Sequence, residues 1–111
     1  MDLEITGRHL DVTEPMERHI RQHVERLPGF ADMIQYMTVT LSMESGNHHV
    51  EILAKCPRAD LVTEAVGHDM YQSIDDAYAK MERRLARHHD KLVSSRAREA
   101  QQASETQRQP D

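Results

Sequence analysis

Three short stretches of alternating apolar residues, separated by links of only a few residues, constrain this chain more than anything else in it. Met37, Val39, Leu41 and Met43 alternate with polar or β-branched neighbours. Val50, Ile52, Ala54 and Cys56 do the same, and then Leu61, Thr63 and Ala65. A period of two puts each set on one side of a strand. The links, Ser45-Gly46-Asn47 and the turn around Pro57-Arg58-Ala59-Asp60, leave room only for tight reversals. The three segments therefore predict an antiparallel meander with one apolar face, and that face must be covered.

The cover is predicted on either side. Leu3-Glu4-Ile5-Thr6 reads as a short first strand ending at Gly7. Thr13-Glu14-Pro15 is a helix start: a capping hydroxyl, an acid at the positive end and a proline in the first turn. Met16, Ile20, Val24 and Leu27 recur at helical spacing, and Pro28-Gly29 is expected to end that helix. A right-handed crossover would leave strands one and two parallel. Asp69 opens a second helix, with Gln72 in a capping-box-like position, and Ile74, Tyr78, Met81, Leu85 and Leu92 form its apolar stripe. The expected fold is α+β, β-α-β-β-β-α, a four-stranded sheet with two helices on one face. The domain is expected over residues 1–93. Residues 94–111, polar and without core-forming side chains, are expected to be a disordered or frayed tail.

At 111 residues the chain suits one domain. A single Cys56 excludes an intrachain disulfide, no apolar run has bilayer-spanning length, and the first ten residues lack a signal-peptide core. The reading is a soluble cytoplasmic protein with no membrane contact. Walker, dinucleotide and nucleophile-elbow motifs are absent, so no enzyme is indicated. Cys56 falls on the inner face of its strand, as a structural thiol would. His19 and His23 stand four apart on the first helix, a spacing that binds zinc, but no further ligands are evident in sequence. No metal and no cofactor are expected.

Charge is more informative. The net charge is -5, yet Ala79 to Lys91 holds five Lys or Arg, two His and only two acids. At about 100° per residue, Arg84, Arg87 and Lys91 fall within roughly 40° of Lys80, with Arg83 at about -60°. These cations form a ridge beside the apolar stripe, with His88 near the boundary. An ordinary solvated face mixes signs; this one has Asp90 as its nearby acid. On the first helix, His23 and Arg26 flank the apolar stripe and would join the ridge if those flanks met. Arg18 and Arg21 are explained by pairing with Glu14 and Glu17 four residues earlier. With a Debye length of roughly 8 Å, a phosphate at the ridge feels the ridge and little of the acids across the domain. Scarce aromatics argue against base stacking as the main binding mode. The ridge suits folded RNA; the alternative is a small interaction module that presents it to an acidic protein.

The block Gly67-His68-Asp69-Met70-Tyr71-Gln72-Ser73-Ile74-Asp75, followed by AYAKMERRLARHHDKL, resembles the ribosome hibernation-promoting factor family. That family includes the ribosome-associated inhibitor of the subunit interface. Ile5-Thr6-Gly7 and Val12-Thr13-Glu14 are similar to its opening. The resemblance implies the same β-α-β-β-β-α fold and binding to the small ribosomal subunit and its rRNA near the decoding region. It implies occlusion of mRNA and tRNA sites and inhibited translation in stress or stationary phase. It implies RNA contacts from Lys80, Arg83, Arg87, His88, His89 and Lys91, and from His23 and Arg26; Arg84 is added from the ridge. His23 and His89 stand where the family often has Lys. Charged forms of His23, His88 and His89 beside phosphates would strengthen binding as pH falls. Short family members either end near residue 93 and act with a ribosome-pairing partner factor, or carry a tail that interferes with pairing. This chain lies between them, and the oligomeric state of the free protein stays open.

Overall fold

The computed structural model describes the backbone of residues 1–27 and 31–104 and, in the long final helix, side chains through Ser94. The elements are β1 (Asp2–Arg8), α1 (Glu14–Glu25), a 3-10 turn (Ala31–Met33), β2 (Tyr36–Glu44), β3 (Asn47–Cys56), β4 (Ala59–Gly67) and α2 (Met70–Ser104). The sheet runs in the order β1-β2-β3-β4, with β1 parallel to β2 and the remaining pairs antiparallel. Element order, crossover and meander are those the alternation predicts.

Both hairpins turn in two residues. Ser45 and Gly46 have φ of 52° and 79°, the doubly positive conformation whose twist matches the strands it joins. In the second, Pro57 presets φ and Arg58 takes the left-handed position at φ 69°. These turns fix a register that lines up three inner rows across β2, β3 and β4: Met37–Ala54–Leu61, Val39–Ile52–Thr63 and Leu41–Val50–Ala65. All nine residues are buried. Thr63 carries the polar group among them, and its hydroxyl donates to the Ala77 carbonyl of α2 at 3.1 Å.

α2 packs on β3 and β4 and beside α1. Met70, Ile74, Ala77, Tyr78, Met81, Leu85 and Leu92 are its buried face, and Ile20 and Leu27 close the core from the α1 side. Each fully buried aliphatic side chain contributes about 1.5–3 kcal/mol relative to an exposed one. Thr13 caps α1, accepting from the Met16 N–H at 3.3 Å. Asp69 caps α2, accepting from Gln72 N–H at 2.9 Å. The reciprocal half of a capping box is not made, because the Gln72 amide donates to Asp76 instead.

Two boundaries differ from the sequence reading. α1 closes at Glu25, where Arg26 N–H donates back to the His23 carbonyl, and Pro28-Gly29 lies outside the described residues. α2 does not stop near Val93 but runs to Ser104. Leu92 is its last buried residue among those described. Beyond it the backbone stays helical because Ala, Arg, Glu and Gln are good helix formers and extending an existing helix needs no new nucleus. Residues 105–111, the rest of the expected tail, lie outside the described residues.

Candidate nucleic-acid interface

The α2 cations divide into two rows with different work. Lys80, Arg84 and His88, four residues apart, lean over β4, whose outer edge has no partner strand. Lys80 Nζ donates to the Glu64 carbonyl at 2.8 Å, Arg84 to the Val62 carbonyl at 2.6 Å and His88 Nε2 to the Pro57 carbonyl at 2.7 Å. They satisfy edge acceptors that would otherwise face water or another chain. Arg83, Arg87 and Lys91 form the other row, and all three are exposed. Among the described residues, no carboxylate forms an ion pair with Lys80, Arg83, Arg84, Arg87 or Lys91. Lys80 bypasses Asp76, one turn earlier, for the strand carbonyl. The positive charge of the whole stripe is therefore not neutralised locally.

The rows meet in a cleft of about 320 Å³ where the start of β4 passes under α2. Ala59 and Leu61 give it an apolar floor, and Arg84, Arg87, His88 and Lys91 line its rim. An apolar floor with a cationic rim suits an anionic group attached to something flat or apolar, such as a nucleotide of a folded RNA.

His23 is a correction to the sequence reading. It is 9% exposed, its ring is stacked 4.8 Å from Tyr78 at 1°, and its Nε2 lies 2.6 Å from Asp75 Oδ1. Buried between the helices, it offers no cation to a phosphate, and the pH-dependent contact expected of it falls away. His19 reaches the same Asp75 oxygen at 2.7 Å and sets its edge against Tyr71. Burial pushes the Asp75 carboxyl up, but hydrogen bonds from His23 and His19, with the histidine charges, outweigh it and hold the group below its ordinary value.

Asp75 also decides whether the α1 flank joins the ridge. It marks the side of α2 that faces α1, whereas Lys80, Arg84 and His88 mark the side over β4. Arg26 is exposed at the end of α1, on the far side of α2 from that row. The two flanks do not meet, so a continuous surface has to cross the exposed top of α2 by way of Arg83 and Arg87. His89 lies about 180° round the helix from Lys80. It is half-buried, with Nδ1 4.0 Å from Asp90.

Asp75 is the residue that the sequence reading does not single out. The signal available was the pair of histidines four apart, but nothing in sequence says which α2 residue faces them. The expected Arg21–Glu17 pair is present at 2.9 Å. Cys56 is buried, and desolvation, with the nearby Asp60 charge, pushes its thiol pKa up, as befits a packing group.

Residues 3–93 match the family described as Sigma 54 modulation protein / S30EA ribosomal protein. A Pseudomonas putida protein named ribosome hibernation promoting factor is 30% identical over 94 residues, covering 85% of this chain and 92% of its own. A protein of that name from Escherichia coli (strain K12) is 30% identical over 92 residues, covering 83% and 97%. A ribosomal subunit interface protein from Coxiella burnetii shares the fold, with TM-score 0.77 at 20% identity over 81% of this chain and 99% of that one. The N-terminal domain of Thermus thermophilus Protein Y gives TM-score 0.71 at 25% identity over 78% and 98%. No helix among the described residues is long and apolar enough to cross a membrane. A match over most of the length, on a fold derived independently from the alternation of its strands, settles the kinship: the chain belongs to the Sigma 54 modulation protein / S30EA ribosomal protein family, with ribosome hibernation promoting factors as its relatives.

Proposed function

We propose that this protein is a cytoplasmic ribosome hibernation factor that binds the small ribosomal subunit near its decoding region. There it occludes the mRNA and tRNA sites and holds the ribosome idle. It acts by occupancy, with no bond made or broken. The observation that carries this reading is the exposed row of Arg83, Arg87 and Lys91, backed by Lys80 and Arg84 and paired with no carboxylate among the described residues. Relatives named ribosome hibernation promoting factor support it.

The mechanism is electrostatic and steric. Arg presents a planar fork that fits phosphate in two places at once, and Lys adds a mobile point charge. Contact with ribosomal phosphates releases counterions, so affinity falls steeply with salt. Folded RNA is recognised by shape and backbone, which suits a rigid helix carried on a sheet. Many of the acids sit elsewhere: Asp2, Glu4, Glu44, Glu51, Asp60 and Glu64 take the sheet positions opposite to the core rows. They oppose loose capture of nucleic acid, and those on β1 and β2 are screened from the ridge by a Debye length of about 8 Å.

Co-sedimentation with purified small subunits tests this. Wild type is expected in the ribosomal pellet at about 50 mM salt and largely free at about 200 mM. Arg83→Ala/Arg87→Ala/Lys91→Ala is expected to stay in the supernatant at both, with an unchanged circular dichroism spectrum. Undiminished pelleting of the triple variant overturns the interface. Binding partners in a lysate that ribonuclease does not release would point to an acidic protein instead.

A further inference from the structure

The side-chain atoms of His19, His23 and Asp75 converge where α1 meets α2, on the opposite flank of α2 from the row over β4. The two histidines stand one helical turn apart on α1, which places both rings on one face. Their Nε2 atoms lie 2.7 and 2.6 Å from a single oxygen of Asp75, and the three atoms are all within 4.8 Å of one another. We propose that this triad is a binding site for a divalent transition-metal ion of the zinc type, which staples the two helices together. The inference does not depend on the ribosome reading, since none of the three residues is on the α2 ridge.

Two imidazole nitrogens and a carboxylate are a preferred donor set for zinc, and three protein ligands leave a fourth position for water. The His19 and Asp75 side chains are 28% and 43% exposed, so an ion can enter from solvent and that fourth position opens outward. The rings are already disposed for convergence, 5.4 Å apart and 74° from parallel. His23 is locked by its stack on Tyr78, and His19 is steadied by the edge of Tyr71. Nitrogen and oxygen now sit at hydrogen-bond distance, whereas tetrahedral zinc spaces its ligand atoms by roughly 3.3 Å. Asp75 has to withdraw by well under 1 Å, and the two histidine nitrogens, now within 4.8 Å of each other, have to close to the same spacing; the partly exposed side chains of Asp75 and His19 make those movements while His23 stays fixed.

In the metal-free state each ring turns its Nε2 to the same Asp75 oxygen. Binding an ion through Nε2 requires that atom to carry no proton, which leaves the ring N–H on Nδ1. His23 Nδ1 is buried with no hydrogen-bond partner. A metal-bound ring usually donates its other N–H to an acceptor, and an outer partner of this kind is worth about 10–100-fold in affinity. The site is therefore expected to bind in the micromolar range, below a structural zinc finger. That is the affinity of an ion that comes and goes with supply.

The test is isothermal titration of the full chain with zinc chloride at neutral pH, alongside Asp75→Asn and His19→Ala. Both substitutions fall on partly exposed side chains. Wild type is expected to take up one ion per chain in the micromolar range, and each variant to bind about tenfold more weakly or worse. Zinc at about a hundred times Kd is expected to raise the melting temperature of wild type by roughly 10 °C. Histidine ring signals in NMR supply a readout that needs no variant: those of His19 and His23 should shift together at one equivalent. Absence of uptake, uptake that both variants retain in full, or shifts confined to other histidines would overturn the proposal.

Discussion

Asp75 shows how much one side chain can rest on. It accepts from a half-exposed histidine and from a buried one, and so ties α1 to α2. Asp75→Ala leaves the buried His23 donor without a partner, which costs about 1–3 kcal/mol. Urea unfolding should show that loss as a lower midpoint with an unchanged slope. The pH dependence follows from the sign of the shift. A carboxyl held below its ordinary value stabilises the fold at pH above its unfolded pKa, near 3.9, and that contribution disappears as pH falls through the folded value. Asp75→Asn should therefore flatten the acid limb of the stability profile below about pH 4, which unfolding at graded pH measures. Cys56 gives a second check at this scale. Buried and shifted upward, it should resist disulfide reagents in the native protein and react once the chain is unfolded in urea. Its inward position was legible from alternation, since a period of two assigns faces without further knowledge. The partner of His23 was not, because a contact 52 residues away depends on how two helices dock.

Along α2, one ridge read from a helical wheel becomes two rows once β4 lies beside it. The wheel gives angles about an axis, and it cannot say that the next thing out from Lys80 and Arg84 is the carbonyl edge of β4, and from His88 the Pro57 carbonyl of the β3–β4 turn. Substitution should separate the rows. Lys80→Ala/Arg84→Ala uncovers the β4 edge, so the domain should stay folded but associate at higher concentration, seen as a rising mass in light scattering. Arg83→Ala/Arg87→Ala/Lys91→Ala removes no intramolecular contact described here and should leave unfolding free energy within about 0.5 kcal/mol of wild type. The length of α2 carries a related lesson. Loss of the apolar stripe after Leu92 correctly marks where the core ends, but a helix outlasts its buried face when its residues favour helix on their own.

Over the whole molecule, the net charge does not describe the local surface. Six acids lie on the open side of the sheet, while Arg83, Arg87 and Lys91 stand exposed on α2 with no carboxylate paired to them among the described residues, so a net charge of -5 conceals a positive row. If binding is dominated by phosphate contacts, the slope of log affinity against log salt should fall by about one for each of Arg83, Arg87 and Lys91 removed. Sedimentation across a salt series measures it. By itself the sequence determined the element order, the inner rows of the sheet, both caps and the concentration of cations on α2, because these follow from periodicity and short-range chemistry. Only the tertiary structure decided that His23 is interior, that Asp75 joins two histidines, and that half of the cationic stripe braces a strand edge. Each of those depends on which surfaces face one another after docking, and spacing along a chain does not encode the rotation of one packed helix against its neighbours.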